Sequence, residues 1–413
     1  MSAREDFGLH REALLEAIEL LGRFAGGGAE PLPARGALDL PPELPEEGVG
    51  GREALARLAE PVLGGAAQLG HPGYLAHMDP PTPWMSWAGT LWAAALNQNL
   101  LHPDSAPVGR ELEPLVVGWL AEPFGMRGGH LVPGSSMATL TALWAARELR
   151  GVERVVASEL SHLSVRKAAR ILGLEYVTVE VDEAHRLRED ELAGIDLGRA
   201  ALVLTAGTVA GGSIDPLDAG TEAAWRHVDA AWAGPLRFSE RHGHLLDGVE
   251  AADSVGVSAH KWLFQPKECA VALFADPDRA HEAISFGGGY LAAPNVGLLG
   301  SHGQSALPLA ATLLAWGRRG VAGLIDHCMG IAARLAEVVD GHPELELWRP
   351  PSTGVVLWRP RHAPARAVRE HLEGALVSLT TVGDETWLRS VAANPAADPQ
   401  LVVDRVLAAL AQP

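Results

Sequence analysis

Six short runs of β-branched and small apolar residues, set between Val152 and Phe274, are interleaved with segments of helical periodicity. The runs are Val152–Ala157, Tyr176–Val181, Ala200–Leu204, Arg226–Asp229, Ser254–Ser258 and Ala270–Phe274; Ser135–Arg150 and Leu163–Leu172 carry the helical pattern. Alternation of this kind predicts an α/β layer on a mostly parallel sheet, because successive parallel strands must be joined by crossovers. After a glycine-rich stretch, Phe286–Gly303, the spacing predicts helices over about 304–318 and 321–340. Strand-like Gly354–Arg359 and Thr380–Val391 then alternate with helices near 364–374 and 400–411, a second and smaller α+β unit.

Upstream, Leu14, Leu15, Ile18, Leu21 and Phe24 recur at helical spacing within residues 8–24. An irregular connector, Gly26–Gly51, follows, and apolar helical patterns broken by proline fill residues 84–122. At 413 residues the chain exceeds what one small core serves. The expected division is an N-terminal helical arm and connector (1–60), a large domain (61–300) and a small C-terminal domain (301–413).

Charge narrows the partners. Fifty-one acidic against 33 basic side chains give −18, which argues against nucleic acid or an anionic membrane surface. No stretch of about 18 uncharged apolar residues offers a membrane span, and no secretory h-region follows Met1–Gly8, so the expected location is the cytoplasm. Two cysteines, Cys269 and Cys328, exclude a disulfide framework and a cysteine-based zinc cluster, and no metal site is expected. Only three tyrosines, Tyr74, Tyr176 and Tyr290, are available to any mechanism that needs a phenolic acid.

Two segments carry chemistry. In Ser258-Ala259-His260-Lys261-Trp262 a lysine follows an apolar strand among Trp, Leu and Phe, where a buried amine can lose its proton and form a Schiff base. In Val228-Asp229-Ala230-Ala231-Trp232 an aspartate ends a strand, and ligands of parallel sheets meet the carboxyl ends of strands. Lysine and aspartate together suit pyridoxal phosphate (PLP): the lysine holds the aldehyde and the aspartate keeps the pyridine nitrogen protonated. Pro133-Gly134-Ser135-Ser136 opens a helix and supplies a phosphate cradle, since helix N-termini favour anions.

The ordered segments PGSSMATLTAL, SELSHLSVRKAARILGLE, LTAGTVAGGSIDPL, HVDAAWAG and SAHKWLF resemble the group II PLP-dependent amino-acid decarboxylases. HPGYLAHM (His71–Met78) and SAPVGRELE (Ser105–Glu113) are similar to that family's upstream motifs. The resemblance implies PLP-dependent transferase fold type I, which is aspartate aminotransferase-like, with a large α/β/α domain and a smaller α+β domain. It implies α-decarboxylation of an L-amino acid to its amine. Residue by residue, Lys261 matches the Schiff-base lysine and His260 the histidine before it. Asp229 matches the pyridinium partner, Ala231 the residue beneath the ring, and His162 the histidine on the ring's other face. Ser135 and Ser136 match the phosphate cradle, Thr208 a threonine near the ring substituents, and Arg389 a small-domain arginine near the substrate carboxylate. Tyr74 and His77 match positions that line the side-chain pocket. A homodimer with sites at the interface is also implied.

One region departs from the family. Relatives carry a tyrosine on a long mobile loop that protonates Cα after CO₂ leaves; here the span from Phe286 to Gly303 is short, and Tyr290 stands early in it. Gly300-Ser301-His302 looks like a variant of a turn that in shorter relatives reaches the partner subunit's cofactor, and it has no obvious partner in its own domain. His302, with an ordinary pKa near 6.5, is the expected alternative proton donor. A second outcome stays open at this point: decarboxylation coupled to oxidative deamination, or an elimination or transfer reaction.

Overall fold

The computed structural model describes residues 7–24, 28, 30–33, 38 and 40–411. Residues 1–6 and part of the expected Gly26–Gly51 connector therefore lie outside the described residues. In chain order the first elements are α1 (Arg11–Phe24), α2 (Gly51–Leu58), β1 (Tyr74–Leu75), α3 (Trp84–Leu96) and α4 (Gly109–Ala121). The α/β part runs β2 (Gly128–Val132), α5 (Ser135–Arg150), β3 (Arg154–Ser158), α6 (Leu163–Leu172), β4 (Glu175–Val179), β5 (Ala200–Thr205), β6 (Trp225–Asp229), β7 (Ser254–Ser258) and β8 (Ala270–Phe274).

These seven strands form one sheet in the order β2-β8-β7-β6-β5-β3-β4. The five from β4 to β7 are parallel, and β8 and β2 close the edge antiparallel. Every residue of β5 to β8 is buried, as expected of strands covered on both faces. One face packs under α5 and α6 through Ala138, Ala142, Val165 and Ala169; α4 and the 3₁₀ turns after β6 contribute to the main core, with Val116, Leu120 and Leu236. The parallel arrangement points the carboxyl ends of β5, β6 and β7 the same way, so Thr205, Asp229 and Ser258 finish at one edge.

Beyond β8 come α7 (Pro277–Ala283), the ribbon β9 (Ser285–Phe286) and β10 (Asn295–Val296), then α8 (Ala306–Asp340). The two helices expected here are joined into α8, with a break at Gly317, whose φ of 61° is left-handed. The N-terminal stretch of α8 joins the main core through Leu309 and Ala310, whereas Ile331, Leu335 and Val339 join a second core. That second core lies on a sheet of β11 (Leu345–Leu347), β12 (Val355–Pro360), β13 (Leu376–Val382) and β14 (Glu385–Val391), with α9 (Ala365–Glu370) and α10 (Pro399–Leu410). Its order is β1-β13-β14-β12-β11. Thr380–Val391, expected as one strand, is most of a hairpin turning at Gly383-Asp384, a dipeptide that permits the positive φ of a tight turn. Upstream β1 runs parallel to β13, Tyr74 opposite Leu376, so a segment from within the expected large domain completes the smaller sheet.

Candidate active site

Met78, Ser135, His162, Thr205, Asp229 and Lys261 line one pocket, together with Gly207, Val209, Ala231 and Trp232. The chain holds three lysines, at 167, 261 and 267, and only Lys261 is part of this lining. It sits in a tight turn after β7: its N–H bonds the Ser258 carbonyl at 3.4 Å, and the Phe264 N–H bonds its carbonyl at 3.0 Å. Buried Trp262, Leu263 and Phe264 anchor the turn from below. Burial drives the Lys261 amine below its ordinary pKa while the Asp229 carboxylate opposes the shift.

Asp229 ends β6 and is buried, with Oδ1 accepting the Ala231 N–H at 3.2 Å. That bond turns the Asp-Ala-Ala segment so that Ala231 also faces the pocket. His162 is the N-cap of α6: Nδ1 accepts the Ser164 N–H at 3.2 Å and lies 2.7 Å from the Ser164 hydroxyl. A nitrogen accepting from a backbone N–H leaves the neutral ring's proton on Nε2. Burial lowers the pKa of His162, with Asp229 pulling it up and Lys261 pushing it down. The ring is thereby biased toward neutrality.

The remaining expected residues separate. Ser135 opens α5 and lines the pocket, while Ser136, next in the same turn, is exposed. Gly134 before them has φ 101°, which bends the chain into the helix and leaves its backbone facing His260 Cε1, 3.6 Å from where a Cβ would stand. Thr208 is buried but is not part of the lining: its hydroxyl accepts the Ser213 N–H at 3.0 Å, and Thr205, Gly207 and Val209 face the pocket instead. Thr205 was missed although it ends a parallel strand, the same signal that marked Asp229.

Arg389 on β14 is buried, with Nε donating to the Val209 carbonyl at 2.6 Å and Nη1 to the Ala76 carbonyl at 3.4 Å. It thus holds the pocket wall from the small sheet. Burial lowers its pKa to about 10, so it stays charged at neutral pH. Tyr74 is buried in an apolar cluster with Ala76 and Leu376, its phenol pushed up to about 12, while His77 is exposed and meets Ser378 Oγ at 3.3 Å. Neither lines the Lys261 pocket; Met78, which follows them, does.

His302, Ser301 and Tyr290 lie elsewhere. His302 lines a second cavity with Arg110, Glu113, His130 and His281. The Gly300–Gly303 turn does have partners in its own chain: Asn99 Nδ2 donates to Ser301 Oγ at 3.1 Å, and the Leu100 N–H to the His302 carbonyl at 3.0 Å. Tyr290 is 76% exposed, its ring 6.5 Å from that of His102.

The pocket fits PLP on its own chemistry. Thr205 Oγ1, Ser258 Oγ and His260 Nδ1 are buried with no partner among the described residues, and all three sit on segments that form or adjoin it. Each such group costs about 1–3 kcal/mol unless a ligand satisfies it. His260, held neutral with a pKa of about 4, stands against the cradle glycine. A lysine amine, a buried carboxylate, a neutral histidine and a helix N-terminus are the donor set this group requires.

Comparison with known proteins agrees. Residues 58–361 match the model of the pyridoxal-dependent decarboxylase conserved domain. L-2,4-diaminobutyrate decarboxylase of Rhizobium meliloti is 32% identical, over 97% of this chain and 91% of that one. L-2,4-diaminobutyrate decarboxylase of Acinetobacter baumannii is 27% identical, over 86% of this chain and 83% of that one. The crystal structure of Oryza sativa TDC with PLP and tryptamine superposes with a TM-score of 0.87 at 22% identity, covering 97% of this chain and 96% of that one, which shows the shared fold. The chain belongs to the pyridoxal-dependent decarboxylase family, and it is a PLP-dependent carboxy-lyase that converts an amino acid to its amine.

Proposed function

We propose that Lys261, Asp229 and His162 are the residues that perform this reaction. The observation that carries the assignment is the convergence of the pocket's one lining lysine with a buried carboxylate and a histidine of fixed tautomer. When bound, PLP supplies an electron sink for the pair released as the Cα–carboxylate bond breaks. Lys261 is the amine that would hold the aldehyde, and its burial lowers its pKa, which favours the neutral, nucleophilic form. Asp229 holds a proton on the ring nitrogen. His162 and Ala231, both in the pocket lining, would pack against the ring. Ser135, with Gly134 and Ser136 at the same helix start, would hold the phosphate, helped by His260, and Thr208 braces its own turn through the Ser213 N–H.

Arg389 orients the substrate carboxylate. Its guanidinium is already spread across two carbonyls, so it grips a carboxylate loosely. That suits a group about to leave, because tight ground-state pairing would raise the barrier. Tyr74 and His77 support the segment that delivers Met78 to the pocket.

The oligomer is a homodimer in this reading, with residues 61–300 forming most of the cofactor-binding unit and 301–413 the smaller one. Helix α3 exposes Trp84, Trp87, Leu91 and Trp92, a contiguous apolar face of the kind that marks an interaction surface. His302, Tyr290 and Ser301 act, in this reading, on the partner's site, since none lines the pocket of its own chain. The expected compartment is the cytoplasm; no helix among the described residues is long and apolar enough to cross a membrane.

A panel of L-amino acids, assayed together for CO₂, amine, aldehyde and hydrogen peroxide, tests the reading. Equal CO₂ and amine from wild type, and neither from Lys261→Ala or Asp229→Ala, are expected. Aldehyde with peroxide in place of amine would overturn it, and amine output unchanged in His302→Ala would remove that residue as proton donor.

A further inference from the structure

Thr205 ends β5 at the pocket, and its Oγ1 is buried with no partner among the described residues. Its backbone is held by one residue outside the lining. The Thr205 N–H donates to Asp215 Oδ2 at 2.7 Å, and the Asp215 N–H donates to the Thr205 carbonyl at 2.9 Å. The other carboxylate oxygen, Oδ1, accepts the Leu187 N–H at 2.8 Å. Asp215 is only 2% exposed. Burial raises its pKa to about 6 and the Asp182 charge adds to the rise, while the two N–H groups work against it. No step assigned above uses this residue.

The turn does not need the carboxylate to close. Between Thr205 and Asp215, the Gly207 and Thr208 N–H groups already donate to the Ser213 carbonyl at 3.0 and 2.8 Å, and the Gly212 N–H to the Thr208 carbonyl at 2.8 Å. An interior carboxylate is costly to keep, and a neutral residue would avoid that cost. What Asp215 adds is a tie from the end of β5 to an outer loop that is itself braced. Asp182 Oδ1 accepts the Ala184 and Arg186 N–H groups at 2.8 and 2.9 Å, and Ser213 Oγ donates to the Ala184 carbonyl at 2.7 Å.

We propose that Asp215 is a positioning residue for the cofactor, fixing the end of β5 so that the Thr205 hydroxyl becomes a polar contact for bound PLP. The inference rests on the Lys261 pocket being the PLP site and adds to it a residue that does not line it. Both carboxylate oxygens are required, because each receives a backbone N–H. Asparagine would set an amide donor against one of those donors. The hydroxyl of Thr205 is the group that delivers the effect, since a buried hydroxyl left unpaired is unfavourable until a ligand satisfies it.

The test is a double-mutant cycle read as the PLP dissociation constant, with urea unfolding of each apoenzyme alongside. Thr205→Val and Asp215→Asn are each expected to weaken PLP binding about ten-fold, the loss of one hydrogen bond to a buried group. Thr205→Ser keeps the hydroxyl and is expected to stay within about three-fold of wild type. The double variant is expected within about two-fold of the weaker single variant, because Asp215 acts through the group already removed. Additive losses, about a hundred-fold in the double variant, would make Asp215 a stabilising residue only and overturn the proposal. Unchanged PLP affinity in Thr205→Val also overturns it, and decides the matter even if Asp215→Asn does not fold. Either outcome leaves the decarboxylase reading standing, whereas a wild type that binds no PLP overturns both.

Discussion

The indole rings of Trp232 and Trp262 stack with centroids 4.0 Å apart, joining the residue three places after Asp229 to the residue directly after Lys261. Each ring then reaches the small-domain side: Trp232 Nε1 donates to Thr353 Oγ1 at 3.3 Å and Trp262 Nε1 to the Ala392 carbonyl at 3.0 Å. Gly354 lies so close that a Cβ there would stand 2.3 Å from Trp262 Cζ2. Trp262→Leu leaves a cavity and an unpaired carbonyl, and is expected to cost about 3–5 kcal/mol in urea unfolding and to speed PLP loss from the holoenzyme. A change under 1 kcal/mol would mean the stack is not holding the two segments together.

His227 lies wholly buried beside Asp229, and burial holds its ring at about 4 instead of 6.5. A base with a depressed folded pKa takes up its proton on unfolding between those values. Stability from this residue is therefore complete above pH 6.5 and declines as the pH falls toward 4, by up to about 1.4 kcal/mol per unit. Urea midpoints across that window should fall in wild type and fall less steeply, by about one proton, in His227→Gln. Identical slopes would refute the assignment.

Arg389→Lys keeps the charge but loses the planar fork that holds the Val209 carbonyl. Losing a hydrogen bond from a charged group is worth about 1.5–3 kcal/mol, which predicts a fall of roughly 10–100-fold in kcat/KM. The loss should fall mainly on KM if Arg389 positions the carboxylate. A fall confined to kcat would assign it to the bond-breaking step instead.

The exposed face of α3 predicts association. Trp87 and Leu91 are four residues apart and share one side of the helix. Trp87→Glu places a charge in that face and should shift sedimentation from dimer to monomer and abolish activity with it. A monomeric wild type with full activity would contradict the shared site.

Much of this was legible in the sequence because the α/β rhythm and the lysine and aspartate segments are local. Ser135–Arg150, Leu163–Leu172, Ser254–Ser258 and Ala270–Phe274 agree with the structure to the residue. Association over distance was not legible. The parallel pairing of Tyr74–Leu75 with β13 joins segments some three hundred residues apart, and two residues give too little periodicity to read. The strand expected before Pro133 is β2, but its antiparallel pairing with β8 was not legible. Within the site, Thr205 escaped notice because a single polar residue looks solvated until the fold sets it at the pocket. Thr208 misled in the opposite sense, its hydroxyl being taken by the turn it stabilises.

The central claim is that Lys261 holds the cofactor. Borohydride reduction of the holoenzyme, followed by peptide mass spectrometry, fixes any phosphopyridoxyl group where it stands, and the chain offers only Lys167, Lys261 and Lys267. The label is expected on Lys261 alone, near one per chain, and absent from Lys261→Ala. A label on Lys167 or Lys267, or none on wild type incubated with PLP, would contradict the account.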